Sequence, residues 1–326
     1  MKKFLLWAFG GFWLLIIGFY LFHSSIWAPA RGGTVKMVAN GNIYQPYDRT
    51  GLGPDDCTAT RISAKATKPI FQNTVHAIRA ASEAQADMVE VDVAPTKGGK
   101  MVLFGDQDLS CRTDGKGTTS DLTLEELQKL DLGYGLTPDD GKSFPLRGEG
   151  VGKMATVEDA LGSETKKPFM FHFKSDDPKE ADQLLAILKA QGRNPVTEGD
   201  GFYGNPVPVK RMRALVPGIW AWTAAEGLAC ASDYRLAGWI GSLPESCKGG
   251  TMIVSLDQQW RIAGWPNRTA ERMEEHGGHI ILAAGQDEHG ELVGLRNWRQ
   301  LESINGSYKG WLWVDDIATV GPALVR

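Results

Sequence analysis

The chain has 326 residues, with 35 Lys+Arg against 39 Asp+Glu, a net charge of −4, 42% hydrophobic residues and 23% charged residues. These globular proportions exclude a disordered, collagen-like or polytopic membrane protein. The charge balance argues against a nucleic-acid or polybasic membrane-surface binder, and the length admits two modest domains or one large single-core α/β barrel.

Behind Lys2-Lys3, the stretch from Phe4 to Phe22 carries no charge, close to the ~20 residues a helix needs to cross a bilayer core. Trp7 and Trp13 lie within it, Tyr20 lies near one end, and Trp27 follows as an interfacial anchor. This predicts one N-terminal transmembrane helix, with the paired lysines in the cytoplasm and the remainder on the extracytoplasmic (periplasmic) side. A cleaved signal is the alternative, because Ala28-Pro29-Ala30 imitates a cleavage site, but a signal core is usually only ~7–15 residues. Residues 1–30 are therefore read as anchor and linker, and 31–326 as the working domain.

A strand over Thr34–Ala39 ends at Asn40-Gly41-Asn42, followed by a turn-rich excursion from Tyr44 to Lys68. Asn73 is expected to cap a helix running to about Ala86. Met88 to Val93 alternates strictly, with three valines on one face and Met88, Glu90 and Asp92 on the other. Strand Met101–Phe104 and helix Leu122–Leu130 follow, then strand Phe169–Lys174 and helix Pro178–Ala190. Later strands are expected at Ile219–Trp222, Thr251–Leu256, His279–Ala283 and Trp311–Val314, with helical stretches near Lys210–Leu215, Thr269–His276 and Trp298–Ile304. Such alternation without an internal linker predicts an α/β fold with a parallel sheet, best fitted by a TIM (β/α)8 barrel. The pairs Trp220/Trp222 and Trp311/Trp313 read as barrel core, with stacking on a ligand as the alternative.

The four cysteines show no C-x-x-C spacing. In an exported chain an even count suggests two disulfides, Cys57–Cys111 and Cys230–Cys247 being the least entangled pairing; four free thiols remain the alternative. On the Phe169–Lys174 strand, alternation puts His172 and Lys174 on one face. With Glu90 and Asp92 at the mouth of the same barrel, they form a candidate site for a hard cation, Ca2+ or Mg2+, and an anionic substrate. A buried salt bridge among Glu90, Asp92 and Lys174 is the competing reading.

Several stretches carry a resemblance: QNT at Gln72–Thr74, ADMVEVDV at Ala86–Val93 and FGDQDLSCRTDGKGTTSDLTLEELQKLDLGYG at Phe104–Gly135. Together they resemble the glycerophosphodiester phosphodiesterase family, and DDCTATRI at Asp55–Ile62 and FPLRGEGVG at Phe144–Gly152 resemble its exported members. The resemblance implies a metal-dependent TIM-barrel enzyme that cleaves a glycerophosphodiester or related lipid headgroup.

Carried over residue by residue, it implies an altered site. The first strand's His-Arg-Gly is Asn40-Gly41-Asn42, Glu-Asn-Thr is Gln72-Asn73-Thr74, and the metal pair Glu-x-Asp is intact as Glu90 and Asp92. Phe-His-Asp is Phe104-Gly105-Asp106, and Glu-x-Lys is His172-Phe173-Lys174. Both catalytic histidines, at Asn40 and Gly105, are thus replaced. His172 is left as third metal ligand or substitute base, and Lys174, Asn73 and Asp106 as substrate contacts. General acid–base groups are each worth roughly 10²–10⁴ in rate, so impaired or lost hydrolysis is expected. The alternative is a silent barrel binding a phosphodiester or a protein partner at the membrane surface.

Overall fold

A computed structural model describes the backbone of residues 2–324, apart from 44, 49, 52–55 and 64–67. Parts of the expected excursion loop therefore lie outside the described residues. The strands are β1 (Lys36–Ala39), β2 (Met88–Pro95), β3 (Met101–Leu103), β4 (Phe169–Phe173), β5 (Gly201–Gly204) and β6 (Trp220–Trp222). β7 (Thr251–Ser255), β8 (His279–Ala283), β9 (Gly285–Gln286), β10 (Leu292–Val293) and β11 (Trp311–Val314) complete them. Eight are parallel neighbours in the order β6-β5-β4-β2-β1-β11-β8-β7. The end strands β6 and β7 are joined by a side-chain bond, Trp220 Nε1 donating to Thr251 Oγ1 at 2.9 Å. The result is a near-closed barrel, with β3 folded back antiparallel on β2 through the Gly98-Gly99 turn.

Period-2 alternation builds two cores. Val38, Met88, Met170, Trp222, Ile253, Ile281 and Trp313 fill the lumen, so the tryptophans at 222 and 313 are core. Val89, Val91, Val93, Phe169, Phe171 and Phe173 face outward against the helices. Fully burying one such side chain stabilises the fold by roughly 1.5–3 kcal/mol. A third cluster, including Phe71, Leu109 and Leu146, lies beside the disulfide Cys57–Cys111. Cys230–Cys247 closes the second bridge, ending the free-thiol alternative in this structure.

The helices are α1 (Lys2–His23), α2 (Val75–Glu83), α3 (Leu124–Leu127), α4 (Val157–Leu161), α5 (Lys179–Ala190) and α6 (Pro195–Glu198), then α7 (Pro206–Leu215), α8 (Ala224–Ala237), α9 (Asn267–Glu275), α10 (Arg299–Glu302) and α11 (Ile317–Val320). Several details depart from the sequence reading. The cap of α2 is Thr74, whose hydroxyl accepts from Ala77 N–H, and the helix ends at Glu83. Asn73 sits instead in the left-handed region (φ 61°) with its side chain turned into the barrel mouth. β5 and the whole of α8 also had no counterpart in the sequence reading.

The end of α1 docks on the barrel wall. Tyr20 stacks on Trp239 with centroids 5.3 Å apart, and His23 Nδ1 lies 2.8 Å from Arg272 Nη2. Among the described residues, no helix is long and apolar enough to cross a membrane. The side chains of residues 4–8, 12, 15 and 22, which belong to the expected anchor, lie outside the described residues.

Candidate functional site

Sheet register assembles the site. Asp92 pairs with His172 across β2 and β4, and His172 with Tyr203 across β4 and β5. Residues at one level of a parallel sheet share a face, so the three side chains enter the lumen in a row. His172 Nδ1 lies 2.7 Å from Asp92 Oδ1, 3.3 Å from Glu90 Oε1 and 3.0 Å from the Tyr203 hydroxyl, which donates to Glu90 Oε1 at 3.2 Å. The imidazole stacks on the Tyr203 ring, centroids 4.0 Å apart.

The outer carboxylate oxygens are held by the loops after β1 and before α2. Gly41 N–H donates to Glu90 Oε2 at 2.5 Å, and Asn73 Nδ2 to Asp92 Oδ2 at 2.8 Å. Asn73 Oδ1 also accepts from Asp92 N–H, and Asn42 ties both loops together, donating to the Glu90 carbonyl and accepting from Asn73 N–H. Asn42 and Asn73 both adopt positive φ, a conformation asparagine tolerates better than most side chains.

Burial dominates the electrostatics. It raises the Glu90 carboxyl above its usual range, and the neighbouring Asp92 charge adds to the effect. Burial also opposes ionisation of Asp92, but the hydrogen bond and charge of His172, the Lys174 ammonium and the Asn73 amide outweigh it, holding Asp92 well below the usual range. For His172 burial works against the imidazolium, and bonding to Asp92 and Glu90 prevails, raising it. When both carboxylates are ionised they outnumber the single imidazole, a setting that attracts a cation, and a bound cation in turn favours their ionised forms.

The donor set fits a divalent cation. Glu90, Asp92 and His172 each offer a ligand atom within 4.8 Å of the others. Each carboxylate commits one oxygen to a loop donor and turns the other, Oε1 or Oδ1, toward Nδ1. Two oxygens and one nitrogen make a softer set than three carboxylates, a change that weakens the hold on a hard cation, Ca2+ or Mg2+.

The other residues expected at the site divide. Lys174 follows His172 at the strand end, close enough for its charge to act on Asp92. Asp106 forms a two-pronged ion pair with Arg112, including Nη2 to Oδ1 at 2.8 Å, so its carboxylate is committed. Asn40 Nδ2 donates to Asp315 Oδ1 at 2.8 Å, and Arg296 holds the other oxygen of Asp315 at 3.0–3.1 Å. Gly105 touches the cluster directly: a Cβ built there would fall 2.3 Å from Asp92 Oδ2. The sequence reading missed Tyr203, Arg112, Asp315 and Arg296. Tyr203's only local signal is an aromatic pair between two glycines, Gly201-Phe202-Tyr203-Gly204.

The glycerophosphoryl diester phosphodiesterase family matches residues 62–225, half of the chain. The chain belongs to this family. It is 42% identical over 67 residues to a glycerophosphodiester phosphodiesterase of Caldanaerobacter subterraneus, a match covering 21% of this chain and 28% of that protein. The chain spans between about a quarter and three-fifths of the curated relatives it first matches. Its fold resembles the glycerophosphoryl diester phosphodiesterase domain of a Mycobacterium tuberculosis protein (TM-score 0.60, 15% identity, 89% of this chain and 99% of that one). It also resembles an Oleispira antarctica phosphodiesterase in complex with the product sn-glycerol-3-phosphate (TM-score 0.54, 15% identity, 89% and 96%). At such identities the likeness concerns the fold. The family is divalent-metal dependent, and phosphodiester hydrolysis is its general chemistry.

Proposed function

We propose that the barrel mouth takes the phosphate of a glycerophosphodiester or related lipid headgroup, together with Mg2+ or Ca2+, and hydrolyses the ester slowly or not at all. The proposal places the domain outside the cytoplasm, tethered through the charge-free Phe4–Phe22 stretch behind Lys2-Lys3. The observation that carries the reading is the pairing of a convergent Glu90–Asp92–His172 cluster with Asn40 and Gly105 at the positions where the family carries its two histidines. Glu90, Asp92 and His172 Nδ1 would hold the cation; when bound, it neutralises and polarises a phosphoryl oxygen. Lys174 adds positive charge on the same side. The Asn40 amide does not titrate, and the space beside Gly105 is filled by the Asp92 carboxylate.

A second reading has its own support in the geometry. His172 Nδ1 can donate a proton to Asp92 or coordinate a cation, and these uses exclude each other. In the first state Asp92 orients the imidazole, and Nε2, which has no hydrogen-bond partner among the described residues, is free to exchange protons with a substrate. One acid–base group would then serve where the family uses two.

Calorimetric titration of the full chain with sn-glycerol-3-phosphate and Mg2+ or Ca2+, beside a choline-release assay on glycerophosphocholine, separates these readings. The proposal expects cation-dependent binding, lost in Glu90→Gln, with little release. Fast release that Glu90→Gln abolishes would make the chain an efficient enzyme. Slow release lost in His172→Gln, with cation-dependent binding retained, would favour the dyad.

A further inference from the structure

We propose that the flank formed by the C-terminal half of α8 and the turn after β7 lies against the membrane and takes the phosphate of an anionic phospholipid in an arginine-lined cleft. The inference rests on the anchored reading above and adds the lipid-binding surface to it.

The cleft, about 510 Å3, is lined by Arg235, Ser255, Asp257, Gln258, Arg261 and Gln286. Ser255 ends β7, so the cleft opens at the same end of the barrel as the carboxylate cluster. Among the described residues Arg235 Nε is buried without a hydrogen-bond partner, and its Nη2 reaches Gln258 Oε1 at 3.4 Å. A buried guanidinium nitrogen left unsatisfied is costly, and a phosphate oxygen is the acceptor that guanidinium geometry suits best. Asp257, a carboxylate lining the cleft, accepts from Gln258 Nε2 at 2.8 Å.

Large apolar side chains adjoin the cleft residues in the chain. Leu236 is 83% exposed, Ile240 72% and Trp260 74%, and the Arg261 guanidinium lies 4.9 Å from the Trp260 ring. Single exposed apolar side chains are ordinary, but Ile240 sits where α1 joins the barrel. Tyr20 of α1 stacks on Trp239, next to Ile240. Gly264 meets the His23 carbonyl, and Asn267 N–H donates to Ser25 Oγ at 3.0 Å, beside the exposed Ile26 and Trp27. The charge-free Phe4–Phe22 stretch of α1, leading into exposed tryptophans with arginines just behind, matches the layering of a bilayer interface: apolar groups deepest, indole at the headgroup level, guanidinium on phosphate. Held this way, the barrel mouth faces the headgroup layer.

The test is amide hydrogen exchange over residues 235–262 in the full chain, reconstituted in nanodiscs of phosphatidylcholine alone or mixed with phosphatidylglycerol. Exchange at least ~tenfold slower in the anionic discs is expected, with the difference lost in Arg235→Gln/Arg261→Gln. Arg261→Gln alone, at the exposed rim, should lose much of it and serves if the double variant misfolds. Equal exchange in both lipids overturns the proposal while leaving the anchor intact; failure to enter discs at all overturns both. Protection that follows protein density instead of lipid charge would assign the flank to a second copy. Equal protection by inorganic phosphate without discs would assign the cleft to a free anion. Either result refutes the proposal.

Discussion

Gly105→Ala tests whether the carboxylate cluster has closed over the position where the family carries a histidine. A methyl group there would lie 2.3 Å from Asp92 Oδ2 and 2.8 Å from its Cγ, well inside van der Waals contact. Asp92 cannot yield cheaply, because Asn73 Nδ2 holds it at 2.8 Å and His172 Nδ1 at 2.7 Å. Overpacking costs roughly 1–3 kcal/mol, and giving up one bond to a buried carboxylate roughly 1.5–3 kcal/mol more. The expected destabilisation is therefore roughly 2.5–6 kcal/mol, a fall in Tm of roughly 4–9 °C for a barrel of this size. Gly98→Ala is the control: it lies in the β2–β3 turn with nothing within 4 Å of its added methyl. Urea unfolding of both variants at neutral pH measures the difference. A Gly105→Ala protein as stable as the control would refute the reasoning, since Asp92 would then have room to move. Gly105→His, the substitution that restores the family residue, faces the same overlap and is expected to disturb the cation ligands before it contributes a proton.

Asn40→His avoids that overlap and places an imidazole near Asp315, which the asparagine now contacts at 2.8 Å; choline release should rise roughly 10²-fold or more, and an unchanged rate in a folded variant would show that the pocket has diverged beyond one missing group. At the floor of the lumen, burial and then the Lys36 charge lower the His279 imidazole from 6.5 to about 4, and the ring stacks on Trp220 at 4.3 Å. The unfolded chain therefore binds the extra proton first as the solution is acidified. The stabilising contribution is complete above pH 6.5 and is lost as pH falls toward 4, by at most about 3 kcal/mol. His279→Phe should flatten that slope in urea midpoints taken between pH 7 and pH 5; an equally steep slope would place the titration elsewhere. The Cys57–Cys111 bridge spans a sequence separation of 54, worth roughly 4 kcal/mol in the loop-entropy estimate. Cys57→Ser/Cys111→Ser should lower stability by a good part of that, and mass mapping of oxidised wild type that finds four free thiols would remove the premise.

What could be read from the sequence was what is local and periodic. Two-residue alternation was enough to put Glu90 with Asp92, and His172 with Lys174, on lumen faces, because a strand's side-chain direction follows from its own residues. The cysteine pairing was suggested and not determined: four cysteines leave three arrangements, and the structure holds the least entangled of them. β5 and α8 were not legible. β5 is four residues bounded by glycines, and α8 buries Gly227, Cys230, Ala231 and Tyr234, small or polar-tipped residues that leave little apolar stripe to detect. The site's final form depended on register and on long-range contact. Tyr203 joins the cluster only because β5 pairs with β4 at His172, and Asn40 is held by a carboxylate 275 residues away. Gly105 reads in the sequence as a missing histidine; only in the folded barrel is it the position whose missing side chain gives Asp92 its place. Strand faces are properties of a segment, whereas neighbours and the space between them belong to the closed barrel, and the chemistry at this mouth depends on the latter.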